Sequence, residues 1–226
     1  MSDLVSVVVP MYRTAATLDE LYERMKASIP DGFVAEFVFV DDACDQGSGA
    51  ALVKLQRSDP SIQLVSHSGN RGQHQAIRSG LAVSSGHIVA VLDGDLQDPP
   101  EALPLLIETL LSSSVDAVFA GKSGNFTGVS RRLSGTVFKM IMHLSTGVPI
   151  DAGGYVIMTR PLVDDLLVLN LGSPYLLANI AATKRPTMSI PVPRSARPVG
   201  SSAMSGTDRL KLGAGAFWAL ARERFR

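Results

Sequence analysis

The stretch that decides the fold is His87-Ile88-Val89-Ala90-Val91-Leu92-Asp93-Gly94-Asp95-Leu96-Gln97-Asp98-Pro99-Pro100. From Ile88 to Leu92 every side chain is apolar. A strand exposed on one face alternates apolar with polar; an unbroken apolar run fits a strand covered on both faces, as in parallel sheets. Three aspartates then follow within six residues. Ionised carboxylates repel one another and are costly to desolvate. Such crowding calls for a bound cation, or for separate structural tasks at one strand end.

Working outward, similar runs occur at Leu4–Val9, Ala35–Val40, Gln63–Ser66, Ala117–Ala120 and Tyr155–Thr159. Longer amphipathic stretches separate them. Thr17-Leu18-Asp19-Glu20 reads as a capping box opening a helix to about Ser28. Helices are also expected over Ala50–Arg57, Gln73–Ser84 and Pro100–Ser112. This order predicts an α/β fold: a mainly parallel, doubly wound sheet with helices on both faces. Ligands of such folds bind beyond the carboxyl ends of the strands. The polar clusters fall there: Pro10-Met11-Tyr12, Asp41-Asp42, Ser68-Gly69-Asn70-Arg71-Gly72 and Asp93-Gly94-Asp95. After residue 122 Gly, Ser, Pro and Arg become denser and the periodicity less regular. The chain is read as one domain, 1–226, whose part 123–226 completes the site and faces a second substrate.

Composition narrows the function classes. Of 226 residues, 46% are hydrophobic and 19% charged, an ordinary globular balance. Lys+Arg and Asp+Glu are both 21, so no overall field draws nucleic acid. Cys44 is the only cysteine, which excludes an internal disulfide or a thiolate metal site and suits a reducing compartment. The start of the sequence carries no basic leader, and no apolar run has the length of a membrane span. The expected location is cytoplasmic, with contact to a membrane surface compatible.

Asp93 and Asp95 are two apart, so on an extended backbone they share a side. Gly94 permits close backbone approach. The pair suits a hard divalent cation, Mg²⁺ or Mn²⁺, and a solvated turn is the competing reading. Asp98, before Pro99-Pro100-Glu101, reads as a helix cap, with Glu101 completing a second capping box. Asp41 and Asp42 can accept hydrogen bonds from a ribose or base, or cap a loop. Tyr12 can stack on a base or serve as a half-buried structural tyrosine. Arg131-Arg132, Arg194 and Arg197 suit phosphate contact or an ordinary solvated surface. Gly47-Ser48-Gly49-Ala50-Ala51-Leu52 is no dinucleotide fingerprint, and no Walker loop or Gly-x-Ser-x-Gly elbow occurs. The four histidines have no metal-ligand spacing.

Taken in order, these clusters resemble the family 2 inverting glycosyltransferases of the GT-A fold. The resemblance is strongest to the branch that includes dolichol-phosphate mannosyltransferase and undecaprenyl-phosphate glycosyltransferases. It is carried by Val5–Tyr12, Phe39-Val40-Asp41-Asp42, Asn70-Arg71-Gly72-Gln73-His74-Gln75-Ala76, Asp93–Pro100, Asp151-Ala152-Gly153 and Arg197–Ser202. It implies that Pro10, Tyr12, Val40 and Asp42 hold the nucleoside. Asp93, Asp95 and Gln97 would bind metal and diphosphate around Gly94, with Asp95 and Asp93 as the metal ligands and Asp95 foremost. Lys122 takes a position often occupied by Arg; it, Arg131 and Arg197 would contact phosphates. Residues 1–122 would bind the nucleotide-diphosphate sugar and 123–226 a polyprenyl-phosphate acceptor.

The chain departs from the family pattern at Tyr12-Arg13-Thr14, where Tyr-Asn-Glu is usual, and at Ala43-Cys44, where Gly-Ser is usual. Ala203-Met204-Ser205 replaces Lys-Tyr-Ser. Two alternatives follow: transfer to a saccharide hydroxyl, which needs a base, or a non-catalytic nucleotide-sugar-binding subunit. Many relatives continue into membrane helices, so a separate membrane subunit, or further copies of this chain, are candidate partners. Arg131–Val148 and Arg209–Arg226 carry apolar stripes flanked by basic residues, which suits either a lipid interface or packing on the domain.

Overall fold

The computed structural model describes residues 3–44, 48–123, 143, 147–169 and 175–194. In chain order these form β1 (Asp3–Met11), α1 (Leu18–Ala27), β2 (Phe33–Asp41), α2 (Ser48–Ser58), β3 (Ile62–Ser66), α3 (Gln73–Val83) and β4 (Ile88–Val91). Then come α4 (Leu103–Ser112), β5 (Ala117–Ser123), β6 (Val156–Thr159), α5 (Arg160–Val168), α6 (Leu176–Ala182) and β7 (Thr187–Pro193).

The strands make one sheet in the order β3-β2-β1-β4-β6-β5-β7. β3, β2, β1 and β4 run parallel, as do β5 and β7. Strand β6 runs antiparallel to both neighbours, so the sheet is mainly parallel, as expected, and mixed on that side. β2 pairs on one side of β1 and β4 on the other, so the order reverses at β1 and opens a crevice at the carboxyl ends there. Because β6 is reversed, the turn that precedes it, 151–155, reaches this same end.

Both faces of the sheet are covered. Val5, Val7, Val9 and Met11 of β1 pack with Leu21 and Met25 of α1 and Leu106 and Leu110 of α4. Val8 packs on the other side, with Ala76 and Ile77 of α3 and Leu162 and Leu166 of α5. This two-sided burial is why the strand segments are apolar at nearly every position. α3 lies close: a Cβ on Gly80 would fall 2.4 Å from Val8 Cγ1. The exception in β1 is buried Ser6, whose hydroxyl donates to Glu36 Oε1 at 2.5 Å and accepts from Gly86 N at 2.7 Å. Ser85 N–H and Gln63 Nε2 also donate to Glu36, so this buried carboxylate is fully engaged at the far end of the sheet from the crevice.

Two expectations are corrected. Thr17 makes no capping bond to α1; its hydroxyl points back, toward Thr14 O at 2.9 Å and Gly94 O at 2.6 Å. Strand β7 was not anticipated, because Pro191 and Pro193 argue against a strand. It sits at the sheet edge, where a missing N–H need not break a ladder.

Candidate active site

The carboxyl ends of β1, β2 and β4 lie side by side and each opens into a polar loop. The loop after β4 is the most constrained. Leu92 still belongs to the sheet, its N–H donating to Val8 O at 3.2 Å. Asp93 follows, its Oδ1 accepting from Gln73 Nε2 at 2.5 Å. A Cβ on Gly154 would lie 3.7 Å from Asp93 Oδ2, so the turn before β6 passes directly against this carboxylate. At position 94 a Cβ would fall 2.9 Å from Met11 Sδ and 3.1 Å from Thr14 Oγ1. Glycine is what lets this loop lie on the end of β1, and Thr17 holds its carbonyl.

Asp95 is 8% exposed, and its Oδ1 accepts from Gln97 N at 3.0 Å, closing a tight turn. Leu96, inside that turn, has φ +59, unusual for a residue with a side chain. Its side chain is buried in the core cluster of β1, α1 and α4, which offsets the backbone strain. The acid-rich loop is therefore held by its own side chains and by three neighbouring segments: 14–17, Gln73 and the turn before β6.

The back half of the loop corrects the second capping box. The helical turn Pro100–Ala102 has no side-chain cap. Asp98 Oδ1 instead lies 2.6 Å from Nε of Arg194, at the end of β7. Glu101 accepts two bonds from Arg24 of α1, at 2.7 and 2.9 Å, and the guanidinium lowers its carboxyl pKa. Arg194, read as suited to phosphate contact or to a solvated surface, is one partner of a mostly buried ion pair.

At the end of β2, Asp42 is 2% exposed. Its Oδ1 accepts from Arg71 N at 2.8 Å and lies 2.7 Å from His67 Nδ1, and its Oδ2 accepts from Gly72 N at 2.7 Å. His67 Nε2 lies 2.9 Å from Ser79 Oγ. These are the bonds of a loop clasp: Asp42 holds 67–72 and sits at the positive end of α3. Asp41 Oδ1 accepts from Cys44 N at 3.1 Å. Arg13 N–H donates to Cys44 Sγ at 3.2 Å, stitching the β1 and β2 loops together. The Arg13 guanidinium lies 5.2 Å from the ring centre of half-buried Tyr12, within cation–π range. Pro10 and Val40 are register partners and both buried, forming the floor between β1 and β2.

The structure thus brings Pro10, Tyr12, Val40, Asp42, Asp93, Gly94, Asp95 and Gln97 to one end of the sheet. Lys122 lies on β5 in register with Val192. Arg131 and Arg197 lie outside the described residues, as do most of 131–148 and all of 209–226. Sequence reasoning assigned no role to Gln73 or His67, and gave Thr17 only that of a helix cap. Gln73 stood within a quoted motif, but nothing local showed that it reaches Asp93. Asp151, in the turn before β6, accepts from Ser189 Oγ at 2.6 Å. A Cβ on Gly121 would lie 2.0 Å from Asp151 Oδ2, so β5 has a glycine where this carboxylate lodges.

The profile of Glycosyl transferase family 2 matches residues 6–167, which span every element of this site except β7. The chain belongs to this family. An undecaprenyl-phosphate 4-deoxy-4-formamido-L-arabinose transferase of Salmonella enteritidis is 31% identical over 207 residues, 89% of this chain and 62% of that protein. Its counterpart in Pseudomonas aeruginosa is 32% identical over 214 residues, 93% of this chain and 63% of that one. The chain therefore spans less than two thirds of the length of these relatives.

Among solved structures, a mannosyltransferase from Pyrobaculum calidifontis with GDP-Man and Mn²⁺ superposes with TM-score 0.64. It has 18% identity, over 99% of this chain and 74% of that one. A glucosyl-3-phosphoglycerate synthase from Mycobacterium tuberculosis with Mn²⁺, UDP and glucosyl-3-phosphoglycerate gives TM-score 0.66. Here too identity is 18%, over 98% of this chain and 80% of that one. The family 2 chain shares the GT-A fold with these transferases.

Proposed function

We propose that the protein transfers a sugar from a nucleotide-diphosphate sugar to a polyprenyl phosphate, inverting the anomeric carbon, with a divalent cation at Asp93 and Asp95. The observation that carries this reading is 31% identity, over 89% of the chain, to a transferase named for an undecaprenyl-phosphate reaction. The site is compatible with it. Asp93 and Asp95 offer hard carboxylate oxygens, as Mg²⁺ or Mn²⁺ prefers. Among the described residues no group of three or more His, Cys, Asp or Glu forms a candidate metal cage, so diphosphate oxygens and water would complete the shell. When bound, the ion supplies Lewis-acid neutralisation of the charge that develops on the leaving diphosphate.

The chain's own residues position the reactants. Gln73 orients Asp93, and the Gln97 N–H orients Asp95. Tyr12 offers a face to the base, Pro10 and Val40 form the floor beneath it, and Asp42 shapes that side by holding loop 67–72. Lys122, Arg131 and Arg197 contact phosphates of donor or acceptor. Residues 1–122 hold the donor and 123–226 face the acceptor. The acceptor phosphate oxygen attacks the anomeric carbon as the bond from that carbon to the diphosphate oxygen breaks, and nucleoside diphosphate leaves. A phosphate monoester has a second pKa near 6, so its oxygen is anionic at pH 7 and needs no general base.

Among the described residues no helix is long and apolar enough to cross a membrane. A lipid-linked acceptor would place the chain at the cytoplasmic membrane face, through its own 209–226 segment or a separate membrane subunit. The test is a transfer assay with a panel of nucleotide sugars, with and without Mn²⁺ and undecaprenyl phosphate. Metal-dependent labelling of the lipid phosphate is the expected result. Labelling only of saccharide hydroxyls would reassign the acceptor, and metal-dependent binding without turnover would favour a non-catalytic subunit.

A further inference from the structure

The Asp98–Arg194 pair sits where charges are expensive. Asp98 is 4% exposed, and the Arg194 side chain is 20% exposed. The nearby Tyr155 hydroxyl is fully buried and has no hydrogen-bond partner among the described residues. Burial raises its pKa, and the charges of Asp98 and Glu101 raise it further. Desolvating two ions costs roughly what their attraction returns, so a buried ion pair adds little stability over an apolar pair of similar shape.

Asp98 follows Gln97 directly and Asp95 by three residues, and Arg194 follows β7 directly. Between the acids stands Leu96 at φ +59, a conformation that persists only where the surroundings over-determine it. The front of the loop is fixed by Thr17, which donates to Gly94 O at 2.6 Å. At the back of the loop Asp98 Oδ1 lies 2.6 Å from Arg194 Nε.

Resting on the function proposed above, we infer that Asp98 and Arg194 are positioning residues for the metal-binding loop. They hold the 95–97 turn so that Asp95 presents its carboxylate in one orientation. They also tie that orientation to β7, a strand of the part 123–226 that faces the acceptor.

The test uses the full chain with Asp98→Leu and Arg194→Met combined, which replaces the ion pair by an apolar pair. The expected result is a melting temperature close to that of the wild type. The Mn²⁺ concentration for half-maximal sugar transfer should nevertheless rise about 10- to 100-fold, as when other outer-shell partners of metal ligands are removed. Hydrogen exchange of the Gln97 amide, which needs neither metal nor donor, should accelerate at least about tenfold while β4 amides keep their rates. If the double variant does not fold, Arg194→Lys keeps the charge without the planar fork and carries the same two readouts. Unchanged Gln97 exchange in a folded variant overturns the inference, as does a half-saturating Mn²⁺ concentration equal to that of the wild type. A wild-type chain with no Mn²⁺-dependent transfer refutes the functional reading instead; Gln97 exchange then decides the role of the pair alone.

Discussion

Gln73 shows how one uncharged side chain sets the chemistry of a charged one. Its amide donates to Asp93 Oδ1 at 2.5 Å from the first turn of α3. Gln73→Ala should leave the melting temperature unchanged, because the side chain is exposed, and should raise the half-saturating Mn²⁺ concentration about tenfold. Gln73→Glu, which sets a second carboxylate against Asp93, should cost more at neutral pH. A Mn²⁺ titration of transfer by both variants checks the order.

His74, next along α3, has a different role. Burial disfavours its charged form and pushes its pKa down from 6.5 to about 4, and Nδ1 accepts the Leu176 N–H at 3.1 Å. The unfolded chain binds a proton near pH 6.5 that the folded chain refuses until about 4. His74 therefore contributes stability that is complete above pH 6.5, falls as pH drops toward 4, and is lost below that. The loss is about 2 kcal/mol once discounted for partial exposure. Urea midpoints of the wild type and His74→Gln between pH 7.5 and 4.5 should converge as pH falls.

At the scale of elements, the turn before α1 and helix α3 brace the site from the two faces of the sheet. Thr17 gives its hydroxyl to the buried carbonyl of Gly94 rather than to its own helix. Thr17→Val keeps the shape and leaves that carbonyl short of a donor, so it should cost about 1–3 kcal/mol in a denaturant titration. Gly80→Ala would push a methyl to 2.4 Å from Val8 Cγ1 and 3.0 Å from Val40 Cγ2. Both contacts are β-branched core side chains, so overpacking should destabilise by about 2 kcal/mol, read as a lowered melting temperature.

The same elements show why parts of the site were legible and parts were not. Apolar runs and strand-end position located Asp42, Asp93 and Asp95. Local chemistry did not distinguish a ligand contact from a loop clasp at Asp42, because the bonds come from His67, Arg71 and Gly72. The two capping boxes failed for one reason: Thr17 and Asp98 found tertiary partners, Gly94 and Arg194, that outcompeted the local bond.

For the whole molecule, β6 and β7, from the later part of the chain, complete the sheet begun by β1 to β5. The alternation of strands and helices made the doubly wound half readable. The reversal of β6 and the proline-bearing edge strand β7 depend on pairing across the sheet, for which spacing and propensity carry no signal. The result is a crevice at the reversal of strand order, with the acid-rich loop at its centre and Arg194 entering from β7.

Mn²⁺-dependent transfer of labelled sugar to undecaprenyl phosphate, measured for the purified wild type and Asp95→Asn across a nucleotide-sugar panel, tests this arrangement most directly. The wild type should form a lipid-linked product with at least one donor. Asp95→Asn, folded to the same melting temperature, should lose about 10³-fold in rate, as when a main group stabilising transition-state charge is removed. Equal rates from the two proteins, or no lipid-linked product from the wild type with any donor, would contradict it.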